Sequence, residues 1–129
     1  MKLPAKGGPV SEAKVMELEY GLTSVIAGHP GAINPWTFYE VLDEYLGPWG
    51  AKGYPIGYGK KYCVLFSENE KLRQNVITRK WVWKTTIVLQ EALRDFVITQ
   101  FRQGKLASLT ESQLRQYAFD THPIAYTRG

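Results

Sequence analysis

The feature that most constrains the fold is the long segment NVITRKWVWKTTIVLQEALRDFVITQFRQGK, which begins at Asn75. Its second half has helical periodicity, and Gly104 stands where a helix commonly ends. The apolar residues that share a face there are Leu89, Leu93, Phe96 and Val97. The first half is rich in Val, Ile, Thr and Trp, so it also suits a strand. On the helical periodicity we predict one long helix over about residues 80–103.

The charges of this segment predict where the helix lies in the domain. Lys84, Glu91, Asp95 and Arg102 fall on one helical stripe, and apolar groups occupy most of the remaining surface. A helix that is apolar on so many sides is normally the buried centre of a domain. We therefore predict a mainly α-helical single compact domain over residues 1–129. It has about five helices around this central hydrophobic helix and at most a small local β element. The chain is either this whole domain or one piece of a longer protein.

Further signals divide the rest of the chain into helices. The predicted N-terminal caps are Ser11, Asn34 followed by Pro35, Ser67 with Glu70 three residues later, and Thr110. Residues 47–61 contain five glycines and two prolines and are predicted to form a loop. At the end of the chain, FDTHPIAYTRG places His122 before Pro123, which favours an extended backbone at that histidine and no terminal helix or strand.

Composition limits the classes of protein to which the chain can belong. With 129 residues, 44% of them hydrophobic and 22% charged, it has the composition of an ordinary globular domain. The N-terminus shows no signal peptide, and no apolar run approaches the length of a bilayer span. We therefore expect a soluble protein that is cytoplasmic or exported without a visible signal peptide. One cysteine and two histidines exclude an intrachain disulfide and make an all-protein metal site a poor expectation, and no cofactor motif is present.

The net charge of +4 is unevenly placed along the chain. Residues 1–64 hold six bases and six acids, whereas residues 65–129 hold ten bases and six acids. Five bases and no acid occur in residues 71–84: Lys71, Arg73, Arg79, Lys80 and Lys84. Such a block is either a solvated face or a surface for an anionic polymer, whether nucleic acid, glycan or membrane. Within it, RKWVWK interleaves cations with tryptophans, a pattern that suits single-stranded nucleic acid or a membrane interface, but no specific nucleic-acid motif is present.

The segment GYPIGYGKKYC, residues 53–63, is the first candidate site. Glycines allow a ligand to approach the backbone, and tyrosines and lysines supply stacking and charge. The predicted ligand-binding residues are Trp49, Tyr54, Gly57, Tyr58, Gly59, Lys60 and Lys61.

The single thiol offers a catalytic hypothesis. Cys63 is followed about sixty residues later by Asp120 and His122, the chain order of several cysteine peptidase and amidase families. Nearby lysines would favour the reactive thiolate. The alternative is a core cysteine, because free cysteine is among the most buried residue types.

A second catalytic hypothesis starts from carboxylates. Glu40, Asp43 and Glu44 are spaced to share one helical face, and glycan hydrolysis uses paired carboxylates. The sequence IGYG, residues 56–59, sixteen residues after Glu40, resembles the active-site hairpin of phage-type lysozymes. That resemblance implies that Glu40 is the general acid. The chain departs from the family pattern by having Lys60 in place of the usual histidine and by lacking the second catalytic Asp or Thr.

Three functions follow from these patterns. The first is hydrolysis of a cell-envelope polymer such as peptidoglycan, by the Cys63 or the Glu40 site. The second is a non-enzymatic protein-interaction module that uses the glycine- and tyrosine-rich segment together with exposed aromatic residues. The third is weak binding of a polyanion or nucleic acid.

Overall fold

The chain folds into a mainly α-helical single domain, as predicted. The structure is a computed structural model that describes the backbone of residues 2–128 and the side chains of residues 2–121. No strand occurs within residues 2–128, so the segment with strand-like composition is helical. The α-helices are α1 Glu12–Thr23, α2 Thr37–Leu46, α3 Lys61–Glu68, α4 Glu70–Gln74, α5 Val76–Arg102 and α6 Glu111–Arg128.

Helix α5 is the axis of the fold, although the core covers only part of it. Its 27 residues give a helix about 40 Å long. Its buried residues all lie in the second two-thirds: Thr85, Gln90, Leu93, Val97 and Phe101. The prediction of a buried central helix over about residues 80–103 is therefore correct for this portion and wrong for residues 80–84, where no side chain is buried. The helix also begins earlier than predicted, at Val76.

The hydrophobic core forms where α1, α2 and α6 pack around the buried portion of α5. Each helix contributes residues at helical spacing, so that one stripe faces inward. The core side chains contributed by these three helices include Val15, Leu18, Leu22, Phe38, Leu42, Leu46, Leu114 and Ala118. Removing such a stripe from water is the main stabilising contribution in a domain of this size.

Two of the predicted helix caps are confirmed. The Ser11 side chain accepts a hydrogen bond from the backbone N–H of Lys14 at 3.2 Å. Thr110 and Gln113 form a reciprocal capping box: the Gln113 N–H donates to Thr110 Oγ1 at 3.2 Å and the Thr110 N–H donates to Gln113 Oε1 at 2.9 Å.

The other two caps are wrong in position. Asn34 Oδ1 accepts the N–H of Trp36 at 3.0 Å, which closes a turn, and α2 begins later at Thr37. Asn69 replaces Ser67 as the cap of α4, because its extended backbone lets Oδ1 accept the N–H of Leu72 at 3.2 Å.

The glycine-rich segment is helical instead of an irregular loop. A 3₁₀ turn, Gly50–Lys52, leads to a π-helix, Pro55–Lys60, which continues directly into α3. The glycines permit close packing: a Cβ added at Gly59 would lie 2.4 Å from the ring of Tyr39. A Cβ added at Gly57 would lie 2.4 Å from the carbonyl oxygen of Ala51. Helical backbone forms here because these close contacts against α2 and the 3₁₀ turn outweigh the low helix propensity of glycine.

The end of the chain also differs from expectation. Helix α6 runs through His122 and Pro123 to Arg128, so the predicted extended backbone is wrong. The helix that precedes the proline overrides the local preference of the residue before it.

Candidate functional site

Cys63 lies on α3 with its side chain turned into the protein. It is 6% exposed, and its thiol donates a hydrogen bond to the carbonyl oxygen of Pro35, with Sγ 3.4 Å from the oxygen. Burial raises the pKa of Cys63 to about 11. The thiol is therefore protonated at neutral pH, which is the state that an unreactive core cysteine has.

The described side chains show no contact between Cys63 and the other two predicted members of the cysteine site. The side chain of His122 lies outside the described residues. Asp120 is exposed on α6 and its Oδ1 accepts a hydrogen bond from Gln116 Nε2 at 3.0 Å. The pairing of Cys63 with His122 and Asp120 stays a prediction.

Glu40 is on the outer surface of α2, where it forms an ion pair. Its Oε2 lies 2.9 Å from Lys60 Nζ on the π-helix, so two predicted site residues meet across two elements. Both side chains are partly exposed. A general acid in glycan hydrolysis is usually enclosed by apolar groups, and this carboxylate is not.

Asp43 is buried, whereas Glu40 and Glu44, with which it was predicted to share a helical face, are exposed. It is 7% exposed, and its Oδ1 accepts the backbone N–H groups of Trp49 at 3.0 Å and Gly50 at 3.3 Å. Asp43 therefore holds the turn after α2. Trp49, predicted to bind ligand, is half-buried and packs against the core beside this turn.

The tyrosines of the predicted ligand-binding segment attach the π-helix to α6. Tyr54 is 1% exposed and stacks on Tyr58, with ring centroids 6.0 Å apart. Phe119 packs edge-on against both rings, and the Arg115 guanidinium lies 4.9 Å from the centre of the Tyr58 ring. The Tyr54 N–H donates to Glu111 at 2.9 Å. These contacts give both tyrosines an adequate structural role.

One narrow cleft brings several predicted residues together. Tyr54, Tyr58, Gly59 and Cys63 line it together with aromatic and aliphatic groups of α3 and α5. Its volume is about 40 Å³, enough for a water molecule but not for a sugar ring. The Thr85 hydroxyl, on its wall, is buried and has no protein hydrogen-bond partner. Lys61 is exposed on α3 outside this cleft.

A larger candidate surface lies where α4 meets the start of α5. We call residues 69–84 the basic corner. Asparagines cap both helices: Asn69 Oδ1 accepts from Leu72, and Asn75 Oδ1 accepts from the Thr78 N–H at 3.0 Å. None of the sixteen residues is buried. The corner therefore projects beyond the core that covers the rest of α5.

The basic corner carries the whole net charge of the protein. It contains five bases and one acid, Glu70, out of sixteen bases and twelve acids in the chain. The remaining 113 residues therefore hold eleven bases and eleven acids and are neutral. Such a concentration of charge creates a local positive field that attracts anions.

Apolar side chains are exposed on the same corner. Ile77 is 80% exposed and Val76 51%, and they stand at the first turn of α5. Trp81 and Trp83 are 39% and 43% exposed. A groove of about 400 Å³ runs beside them between α3, α4 and α5. Its apolar wall comes from Phe66, Leu72, Val82 and Trp83, and its cations are Arg73, Arg79 and Lys80.

Comparison with known proteins gives no relative from which a function can be transferred. No family model, curated protein or solved structure matches this chain. Among the described residues, no helix is long and apolar enough to cross a bilayer. In that same part of the chain, no three His, Cys, Asp or Glu side chains are grouped to bind a metal ion.

The sequence pattern predicted the positive charge of the basic corner but not the turns at Asn69 and Asn75 that shape it. Asn69 and Asn75 were available as a signal, because two strong cap residues six positions apart indicate a short helix between two turns. It also missed the groove, whose walls come from three separate helices.

Proposed function

We propose that the protein is a non-enzymatic interaction module that binds an anionic partner through the basic corner. The observation that carries this proposal is that sixteen successive residues with none buried hold the entire net charge. A segment this exposed contributes little to the core, so the stability of the domain does not account for its composition. Exposed apolar groups beside charge are typical of surfaces that bind partners.

The glycine- and tyrosine-rich segment, residues 53–63, is not the contact surface in this proposal. Tyr54 and Gly59 are buried against α2 and α6, so they present little area to a partner. The contact surface is assigned instead to the corner, where Trp81 and Trp83 supply the exposed aromatic groups.

The test compares two variants of equal net charge. Substituting Arg73, Arg79 and Lys80 by Glu reverses the net charge of the corner, whereas substituting Lys2, Lys52 and Lys105 by Glu makes the same change on other exposed positions. Both are passed over immobilised poly-L-glutamate in a salt gradient. The corner variant should elute at much lower salt than the control variant, because binding follows local charge.

Equal elution of the two variants would show that only total charge matters and would refute the proposal. Helix content from circular dichroism is the folding control, since all six substituted positions are exposed.

One observation supports hydrolysis as a second candidate function. Glu40 and Glu44 line a groove of about 550 Å³ along α2, together with Tyr45. If this groove binds a glycan, Glu40→Gln should abolish dye release from labelled peptidoglycan while leaving the melting temperature nearly unchanged. Wild-type protein that releases no dye excludes this candidate.

A further inference from the structure

We propose that the anionic partner of the basic corner is a lipid bilayer surface, and that Val76 and Ile77 insert at the boundary between headgroups and acyl chains. This inference rests on the proposed function and specifies its ligand. The chemistry that it requires is a surface with dense negative charge directly above an apolar layer.

The first support is the position of the apolar residues at the tip. Asn75 ends one helix and caps the next, so Val76 and Ile77 lie at the outermost turn of α5. At 51% and 80% exposure, neither belongs to the core formed by the described side chains, so that core does not explain two successive β-branched apolar residues. Burying them in an apolar layer would remove this area from water.

The second support is the mixture of exposed side chains along one stripe of α5, between the narrow cleft that Trp81 lines and the groove that Lys80 borders. Ile77, Lys80, Trp81 and Lys84 are spaced by three and four residues and therefore form one stripe, and all four are exposed. A stripe that alternates apolar groups with lysines matches the headgroup boundary, because lysine can place its methylenes on apolar surface and its ammonium among phosphates. Tryptophan favours the same depth, since its indole has an apolar body and one N–H donor.

The third support is the groove that Lys80 of this stripe also borders. Arg73, Arg79 and Lys80 border a space of about 400 Å³ whose remaining lining is largely apolar. Guanidinium groups bind phosphate oxygens in a bidentate manner. An anionic headgroup at these cations would leave the start of an acyl chain beside Phe66 and Trp83.

A soluble acidic polymer matches these features less well. It would satisfy the cations, but it would leave Val76 and Ile77 in water. A bilayer satisfies the positive field and the apolar tip together, so the observations favour it.

The experiment measures co-flotation of the full chain with vesicles of phosphatidylcholine containing 30% phosphatidylglycerol, and with vesicles of pure phosphatidylcholine. Two variants test the electrostatic and the apolar contribution to binding separately. Arg73, Arg79 and Lys80 changed to Gln should weaken binding to the anionic vesicles by about 100-fold, since each cation near such a surface contributes roughly fivefold. Val76 and Ile77 changed to Ser should weaken it by about tenfold or more.

Each variant has a matched control that keeps the corner intact. Lys2, Lys52 and Lys105 changed to Gln alter the net charge equally, and Ile33→Ser removes an apolar residue that is 91% exposed elsewhere. Both controls should bind within about threefold of wild type. The Trp81 contribution to fluorescence, obtained by comparison with Trp81→Phe, should shift to shorter wavelength on anionic vesicles.

The outcomes separate this inference from the proposed function. Loss of binding with the cation variant but not with the Val76 and Ile77 variant would refute insertion. Binding to poly-L-glutamate through the corner without binding to anionic vesicles would overturn the lipid inference and leave the proposed function standing. Failure to bind either probe would overturn both.

Discussion

At the scale of single residues, the environment of Cys63 determines its chemistry. Its thiol is 6% exposed and donates to Pro35, and burial raises its pKa from 9.0 to about 11. At neutral pH the thiolate is therefore about 100-fold rarer than in an unperturbed thiol. Iodoacetamide should alkylate the native protein more slowly than it alkylates glutathione at pH 7.5, as measured by mass spectrometry. Alkylation at the rate of glutathione or faster would restore the nucleophile hypothesis.

The same pKa shift predicts how stability depends on pH. Between pH 9 and pH 11 the unfolded chain loses the Cys63 proton while the folded chain keeps it. Ionisation then favours the unfolded state, so the free energy of unfolding falls as pH rises, by roughly 1 kcal/mol at pH 10. Urea titrations at pH 7.5 and pH 10 should show a smaller decline for Cys63→Ala than for wild type. Because Tyr45 titrates in both proteins, an equal decline would contradict the prediction.

Gln90 is a second residue whose role depends on burial. It is fully buried on α5, where Oε1 accepts the Ala27 N–H at 2.8 Å and Nε2 donates to the Pro35 carbonyl at 2.8 Å. It thus joins α5 to the segment between α1 and α2. Gln90→Ala should lower the free energy of unfolding by about 2–4 kcal/mol, because it leaves the Ala27 N–H buried without a partner and opens a cavity.

The matched control for this change is Gln116→Ala on the exposed side of α6, where the amide contacts Asp120. That substitution should cost less than about 0.5 kcal/mol in the same urea titration. Similar values for the two variants would show that the buried amide does not join these elements.

At the scale of elements, the π-helix depends on close approach to α2. The Cβ of an alanine at position 59 would meet the Tyr39 ring at 2.4 Å, which neither element can avoid without moving. Gly59→Ala should therefore destabilise the protein by about 1–3 kcal/mol through overpacking. Gly7→Ala is the control, since its Cβ would be at an ordinary 3.5 Å from Ala107. Thermal unfolding followed by circular dichroism measures both, and an unchanged melting temperature for Gly59→Ala would contradict this packing.

At the scale of the whole molecule, the two ends of α5 should differ in stability. Residues 76–84 have no buried side chain, whereas Gln90, Leu93, Val97 and Phe101 are almost fully enclosed. Amide exchange in residues 76–84 should therefore be at least on the order of tenfold faster than in residues 90–101, because local opening there exposes little apolar surface. Hydrogen–deuterium exchange with mass spectrometry measures this difference directly. Uniform protection along α5 would mean that another part of the chain covers the corner.

Some elements of the fold could be predicted from local sequence patterns, and others could not. Helical periodicity predicted the second part of α5 because local spacing and burial agree there. Ser11 and Thr110 were recognised as caps because a cap acts through its own neighbours three residues away. Asn34 and Ser67 were misplaced because a competing cap or turn stood within two residues of each. The π-helix was missed because glycine and proline content predicts a loop unless the packing partner, Tyr39, is known.

The charge of the basic corner could be predicted from the sequence, but its position outside the core could not. The sequence by itself determined the helical class, the long helix and the five cations between residues 71 and 84, since these depend on residues near one another in the chain. Only the tertiary structure decided that Cys63 faces the core, that Glu40 pairs with Lys60 and that the core covers α5 only from residue 85 onward. Burial is set by which distant residues cover a side chain. That is why a cysteine near two lysines is a buried thiol with a raised pKa, whereas the charge run is an exposed surface.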